Sequence, residues 1–418
     1  MNSMYAPLCA LVARVQGGGT PSRAISEYWR GPIPWASVKD LSKQKFEIHE
    51  TVEHISLKGL ASSSATLIPA GIPIISTRMA VGKAVIPTVD IAINQDLKAL
   101  HPAPHVDARY LTHSLQFIES KVDAVSVGST VRGISVDQLM KFRVFAPQLS
   151  EQRRIAEILD TLDDQIRATE QVVAKLRLTK IGLINDLLTR GIGSNGTIRA
   201  MADTKEGKVT SLGFIPGSWE VQQCAELCRE ITVGIVIRPT QYYKPSGVPM
   251  LRSANVRADG LVLSDLVYMS PEDHAAMSKS AVGPGDVVTV RTGYPGTTAV
   301  VDDNLPAANC IDIIVSRPGP RILPEYLALW VNSEFGKGQV LRNQGGLAQQ
   351  HFNVSEMKSL RVALPSVAEQ RQIVEKLGQF DRRLSVEIGQ ITKLHSLKKG
   401  LMADLLTGGV PVEVEAAS

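Results

Sequence analysis

Glu151-Gln152-Arg153 begins a 42-residue stretch that closes Asp186-Leu187-Leu188-Thr189 and ends at Ile192, and the stretch occurs twice. The second copy begins Glu369-Gln370-Arg371, closes Asp404-Leu405-Leu406-Thr407 and ends at Val410. The copies align without a gap at an offset of 218, with about 17 of 42 positions identical. Apolar residues recur in steps of four and three: Ile155, Leu159, Leu162, Ile166, Val173, Leu176, Leu183 and Leu187. The second copy has Ile373, Leu377, Phe380, Leu384, Ile391, Leu394, Leu401 and Leu405. This 3.5-residue period predicts the seam of a coiled coil rather than the wider stripe of a surface helix. Four seam positions are polar: Thr169, Lys180, Glu387 and Lys398. They either set register with snorkelling lysines or leave a face for partner helices.

Outside the helices, the chain divides into two similar heads. Residues 1–147 hold short strand-like runs, glycine turns and prolines, which read as an α+β domain. Leu11-Val12-Ala13-Arg14-Val15 reads as a strand that ends at Gly17-Gly18-Gly19-Thr20-Pro21-Ser22. Residues 212–365 repeat the plan, with Leu227–Ile231 parallel to Leu11–Val15 and the strand ending at Arg291 parallel to the one ending at Arg78. The offset of 218 reaches upstream of the helices, pairing Gly346 with Gly128 and Pro365 with Pro147. The domain plan is therefore head one (1–147), long helix (148–192), linker (193–211), head two (212–365), long helix (366–410) and tail (411–418). Ser366 and Glu369 form the pattern of a capping box, and Gly191 stands where a C′ glycine belongs. Gly191, Gly193 and Gly196 spell GxGxxG, but the motif follows a helix and opens a linker, so no dinucleotide site is predicted.

Helices of this length run about 60 Å at ~1.5 Å per residue. An antiparallel pairing returns the second helix toward head one and relates the halves by a pseudo-two-fold axis. A parallel pairing would stretch the linker nearly straight. Two heads on such a rod suit duplex DNA, whose major-groove faces repeat about every 34 Å. Different heads imply a bipartite, asymmetric site.

Composition agrees with a soluble protein of two or more domains. The 418 residues are 44% hydrophobic, with a net charge of +4 and four cysteines. The mean hydropathy is +0.03 and the pI about 8.8. This charge permits a polyanionic partner but does not require one. The cysteines give neither a disulfide framework nor paired metal clusters. Neither a signal peptide nor a membrane span is expected, which places the chain in the cytoplasm.

The duplicated Glu-Gln-Arg…Leu-Leu-Thr helices resemble those of the specificity subunits of type I restriction–modification systems. The heads resemble target recognition domains at Gly18-Gly19-Thr20-Pro21-Ser22, Ile33-Pro34-Trp35 and Arg291-Thr292-Gly293, and Arg78-Met79-Ala80 stands in place of the usual Arg-Thr-Gly. The resemblance implies a non-enzymatic DNA-reading subunit that binds two methyltransferase subunits, and two restriction subunits in the full complex. S-adenosylmethionine and ATP with Mg would be used by those partners, with no cofactor or metal in this chain. In this picture the paired helices measure the spacer between half-sites and help dock the methyltransferases.

The residues themselves offer no catalytic motif. The chain lacks GxxxxGK[ST] and Asn-Pro-Pro-Phe/Tyr, and His49-Glu50 with His54 misses the HExxH spacing. Asp302, Asp303 and Asp312 read as loop and strand-edge acids. DNA contacts need cations, hydroxyls and amides. The candidates are Thr20, Arg23, Arg78, Lys83, Ser129 and Arg132 in head one. In head two they are Arg252, Arg291, Tyr294, Thr297, Gln349, Gln350 and His351. A coiled-coil scaffold with protein-binding heads is the alternative reading.

Overall fold

The computed structural model describes residues 4–42, 46–128, 132–200, 207–305, 307–342 and 351–413. The described chain forms two compact units. One is Met1–Val172 with Glu387–Ser418; the other is Val173–Val386. The division falls within both long helices, Leu149–Thr189 and Val367–Leu405. Each unit is thus one head with half of each helix, a grouping that separate head and helix segments do not capture.

The heads share one topology. Head one has a sheet ordered Val12–Gly17, Leu97–Pro102, Ile74–Ser76, Ala84–Pro87 and Glu47–Ile48. A second sheet runs Glu53–Ile55, Ile33–Ala36, Ile91–Ile93 and Thr66–Ile68. Head two repeats the first four strands of the first sheet as Cys228–Val233, Ile313–Pro318, Val287–Val290 and Thr298–Val300, and the second sheet as Val267–Met269, Val248–Leu251, Ala308–Cys310 and Ala281–Val282. One parallel pairing marks both second sheets, Trp35 with Ala92 and Met250 with Asn309. The expected first strands begin one residue later than read, at Val12 and Cys228. The residues before them close a helical turn, Leu8–Leu11 and Cys224–Leu227.

Alternation of β-branched residues supplies the core. In Ile74–Ser76 and Ile91–Ile93 every residue is buried, as befits strands covered on both faces. Each head then packs on helix. Tyr110 and Phe145 of head one cluster with Ile155, Ala156 and Leu159 of the first long helix and Leu405 and Leu406 of the second. Trp219, Tyr326, Trp330 and Leu364 of head two cluster with Leu187 and Leu188 of the first and Ile373 and Leu377 of the second. Numbers rise along one helix as they fall along the other, so the helices pair antiparallel in each unit.

Two of the four polar seam positions, the lysines, now have partners on the facing helix. Lys398 Nζ donates to both oxygens of Asp163, at 2.6 and 2.7 Å. Lys180 pairs with Asp381. Under the sequence repeat these are one ion pair made twice. Both lysines act as register pins rather than as a face kept open for partners. The first helix buries most of its predicted seam, whereas Phe380, Leu384, Ile391 and Leu394 of the second are half-buried.

The Glu-Gln-Arg signature also acquires a function. Gln152 accepts the N–H of Asp107 at 2.9 Å and donates to the carbonyls of His105 and Pro147 at 3.2 and 2.8 Å. Gln370 accepts the N–H of Leu323 at 2.9 Å and donates to Arg321 and Pro365 at 2.9 and 3.0 Å. Each glutamine clamps a head loop to the first turn of its helix. Glu369 departs from the capping-box expectation. Its amide is capped by Ser366 at 3.3 Å, but its carboxylate accepts from the Ile192 amide at 2.8 Å, from Arg199 at 2.6 Å and from the Trp219 indole at 3.2 Å. The start of the expected linker is therefore built into the second unit. Ile192 pairs with Ile198, and Gly191 takes the left-handed conformation (φ 66°) that ends the helix.

Candidate nucleic-acid interface

The turn that follows the central strand of each head carries the best-placed candidates. In head one Ser76 N–H donates to Lys83 O at 2.9 Å, Gly82 N–H to Ser76 O at 2.9 Å, and Lys83 N–H to Ala80 O at 3.2 Å. In head two Val290 N–H donates to Thr297 O at 2.8 Å, Gly296 N–H to Val290 O at 3.0 Å, and Thr297 N–H to Tyr294 O at 3.2 Å. The two turns are one structure, and they correct the sequence register by one residue. Thr77-Arg78-Met79, not Arg78-Met79-Ala80, stands where head two has Arg291-Thr292-Gly293. Backbone angles agree, since Met79 (φ 63°) takes the left-handed conformation that Gly293 (φ 88°) takes freely. A side chain there costs about 1–2 kcal/mol.

Arg78 therefore matches Thr292 rather than Arg291, and its setting differs accordingly. Its guanidinium lies 3.8 Å from Asp96 and is 64% exposed. Arg291 is 23% exposed and donates to Asp312 Oδ1 at 2.6 Å, while the Thr292 hydroxyl holds the other oxygen at 3.0 Å. Asp312, read from sequence as an ordinary strand-edge acid, is thus the residue that fixes the head-two turn. Its own backbone is left-handed (φ 50°).

Around these turns the structure gathers most of the predicted residues. In head one, Met79 N–H donates to Arg132 O at 2.9 Å, which brings Arg132 beside Arg78. The Arg132 side chain bonds Asp123 at 3.2 Å and remains exposed. Lys83 is half-buried at the end of the turn. Thr20 joins from the neighbouring loop, its hydroxyl donating to Gln95 Oε1 at 2.6 Å. In head two, Tyr294 is 82% exposed at the tip, Thr297 closes the turn, and His351 pairs with Thr292 across an isolated bridge.

Two candidates are not gathered. Arg23 lies 3.6 Å over the Trp29 ring and makes paired bonds to Glu53, one at 2.9 Å. Arg252 bonds both the carboxylate and the carbonyl of Asp265 at 2.9 Å. Both shape their loops. Ser129, Gln349 and Gln350 lie outside the described residues. Gln95 was missed from sequence, because nothing marks an isolated glutamine until the turn that exposes it is known.

Head one is joined to the helices by a charged cluster. His113 Nε2 bonds Asp160 at 2.9 Å, Arg109 pairs with Asp160 and with Glu47, and Lys398 holds Asp163. Burial lowers the pKa of His113 and outweighs the raising effect of the Asp160 bond. Desolvation pushes Asp160 up, yet the bonds from His113 and Arg109 leave it below the ordinary carboxylate value. His113, Asp160 and Asp163 converge within 4.8 Å, as metal ligands would. Each carboxylate is already matched by a cation, so the cluster reads as an ion network.

The family model described as the Type I restriction modification DNA specificity domain matches residues 12–178 and again 216–396. The chain is similar to the specificity subunit of the type I restriction enzyme EcoR124I/EcoR124II of Escherichia coli, 33% identical over 159 residues. That match covers 36% of this chain and 39% of the relative. It is also similar to the MjaVIII specificity subunit of Methanocaldococcus jannaschii, 25% identical over 325 residues, covering 74% and 71%. Among solved structures, the type I restriction–modification S subunit of M. genitalium shares the fold with a TM-score of 0.56 at 12% identity, over 97% of each chain. A chain from a study of complex assembly and conformational transition of the type I R-M system gives 0.62 at 16% identity, over 97% and 98%. With both heads matched separately, the chain belongs to the type I restriction modification DNA specificity family and carries its domain twice.

Proposed function

We propose that this chain is the DNA-reading subunit of a type I restriction–modification complex and is itself non-catalytic. The carrying observation is that two copies of a DNA specificity domain present the same strand turn with different side chains at its edge. One head then reads each half of a bipartite, asymmetric site. Arg78, Lys83, Arg132 and Thr20 face the duplex from head one, and Tyr294, Thr297 and His351 from head two. Cations and hydroxyls there position phosphates, and amides and guanidinium groups read base edges. Two methyltransferase subunits bind the helix frame and supply S-adenosylmethionine chemistry on adenine. Two restriction subunits, using ATP and Mg, complete the assembly in the cytoplasm. No described helix is long and apolar enough to cross a membrane.

The test is coexpression with the cognate methyltransferase and mapping of methylated adenines in host DNA. A bipartite motif with unlike halves is expected, and the absence of any such motif would refute the reading. Family membership disfavours the scaffold alternative.

A further inference from the structure

Head two presents an apolar side chain that its core does not account for. Strand Cys228–Val233 runs into Gly234, where a Cβ would collide with the Cys310 carbonyl. The next residue is anchored. Ile235 N–H donates to Cys310 O at 2.8 Å, and its carbonyl accepts Asp312 N–H at 3.2 Å. Ile235 is buried with Met250, Met269 and Ile311. Past that anchor the chain turns outward, leaving Val236 47% and Ile237 76% exposed.

The outward turn is held in a conformation that side chains avoid. Arg238 has φ 43° and ψ 54°, left-handed, and stands directly before Pro239, whose ring further restricts the preceding residue. Its carbonyl accepts Gln241 N–H at 3.1 Å, closing the turn Pro239–Tyr242. Among the described residues, the non-glycine residues with positive φ are Met79, Arg238 and Asp312. Met79 lies on the turn that carries Arg78, Asp312 bonds Arg291, and the loop of Arg238 is tied to Asp312 through the Ile235 carbonyl. Strain concentrated this way points to function rather than to packing.

Head one has different chemistry on the same frame. There the loop after the strand is Gly19-Thr20-Pro21, and the turn facing it is one residue longer, with Asn94-Gln95 where head two has Ile311. The Thr20 hydroxyl bonds the Gln95 amide. Thr20 and the exposed Gln95 of head one thus stand where head two has Val236 and the buried Ile311, and the counterpart of Ile237 is the buried Pro21.

We propose that Ile237 is a specificity-determining residue that contacts the C5-methyl group of a thymine in the half-site read by head two. This rests on the DNA-reading function proposed above. The thymine methyl is the one apolar feature of the major-groove edge, and aliphatic side chains recognise it by contact. Arg291 and the Thr292 hydroxyl are committed to Asp312, whereas the Ile237 side chain, on a loop distant in sequence, stands 76% exposed.

The test uses the chain assembled with its methyltransferase subunits, on the site defined by methylation mapping. Each thymine of the head-two half-site is replaced in turn by deoxyuridine, which removes the methyl and keeps every hydrogen-bonding group. One position is expected to lose binding about fourfold, the scale of one buried methyl group. Ile237→Ala should abolish that sensitivity and relax the methylated motif at the same position, leaving the head-one half unchanged. Ile237→Val, which keeps the branch, should retain both. Uniform tolerance of deoxyuridine overturns the proposal, as does a head-two half-site without an A·T pair. So does an Ile237→Ala protein that keeps the sensitivity or that loses its methyltransferase on size exclusion. Failure of the underlying reading is separately visible, because the unsubstituted complex would then methylate no bipartite motif.

Discussion

The same lysine–aspartate pair occurs twice in the helix frame at two depths, which makes burial the variable in an internal comparison. Lys398 and Asp163 are 14% and 10% exposed, while Lys180 and Asp381 are 28% and 48% exposed. Asp163→Asn keeps the shape and removes the charge, leaving the Lys398 ammonium buried. Asp160, which converges with Asp163 in the cluster, is already taken by Arg109 and His113. Removing one partner of a buried pair costs about 3–5 kcal/mol. At Asp381 water solvates what is left behind, and the cost should fall to about 0–1 kcal/mol, the range of exposed pairs. A chain of two units need not unfold in one step, so the readout is native-state hydrogen exchange at helix amides near each pair. Exchange near residues 163 and 398 should accelerate far more than exchange near 180 and 381. A third variant joins Asp163→Leu with Lys398→Met, which removes the charge pair without leaving an orphan. It should recover most of the loss. Equal effects at the two pairs, or a larger one at Asp381, would refute the burial argument.

Two further outcomes follow from the clamps and the turns. Gln152→Ala removes three hydrogen bonds to backbone and should destabilise the first unit by about 2–3 kcal/mol, at ~1 kcal/mol per bond. Gln370→Ala should do the same to the second, with exchange in the other unit unchanged in each case. Met79→Gly should slow native-state hydrogen exchange in the first unit. It relieves about 1–2 kcal/mol of left-handed strain against ~0.5–1 kcal/mol of added backbone freedom, whereas Gly293→Ala should speed exchange in the second by the same logic. A gain from both substitutions would show that the turns are not equivalent.

The helices were legible because their period and gapless repetition need no knowledge of the partner. Their polar seam positions were visible too. The reason for them was not, since Asp163 meets Lys398 only once the antiparallel register is fixed. Gln152 illustrates a deeper limit. Its partners are backbone groups of His105, Asp107 and Pro147, and backbone groups leave no trace in residue identity. The turn after Ser76 was misaligned by one residue because Met79 stands where a glycine would have marked the left-handed position. The Asp312 side chain looked unremarkable for the same kind of reason, since its role depends on Arg291 and Thr292 arriving from a neighbouring strand.

Those differences also explain why the two helices stay alike while the heads diverge. Each lysine–aspartate pair takes its lysine from one copy of the repeat and its aspartate from the other: Lys398 with Asp163, Lys180 with Asp381. A change at any of these four positions is therefore felt by the other copy. Among the described residues, the strand turns carry no such cross-copy bond. Thr20 bonds Gln95 within head one, and Arg291 bonds Asp312 within head two. Each turn can exchange its polar pair for an aliphatic one, as the Ile237 loop has done, at no cost to the other head. Under the function proposed above, a frame whose contacts join the copies and loops whose contacts stay inside one copy together allow half of a site to change while the other half is kept.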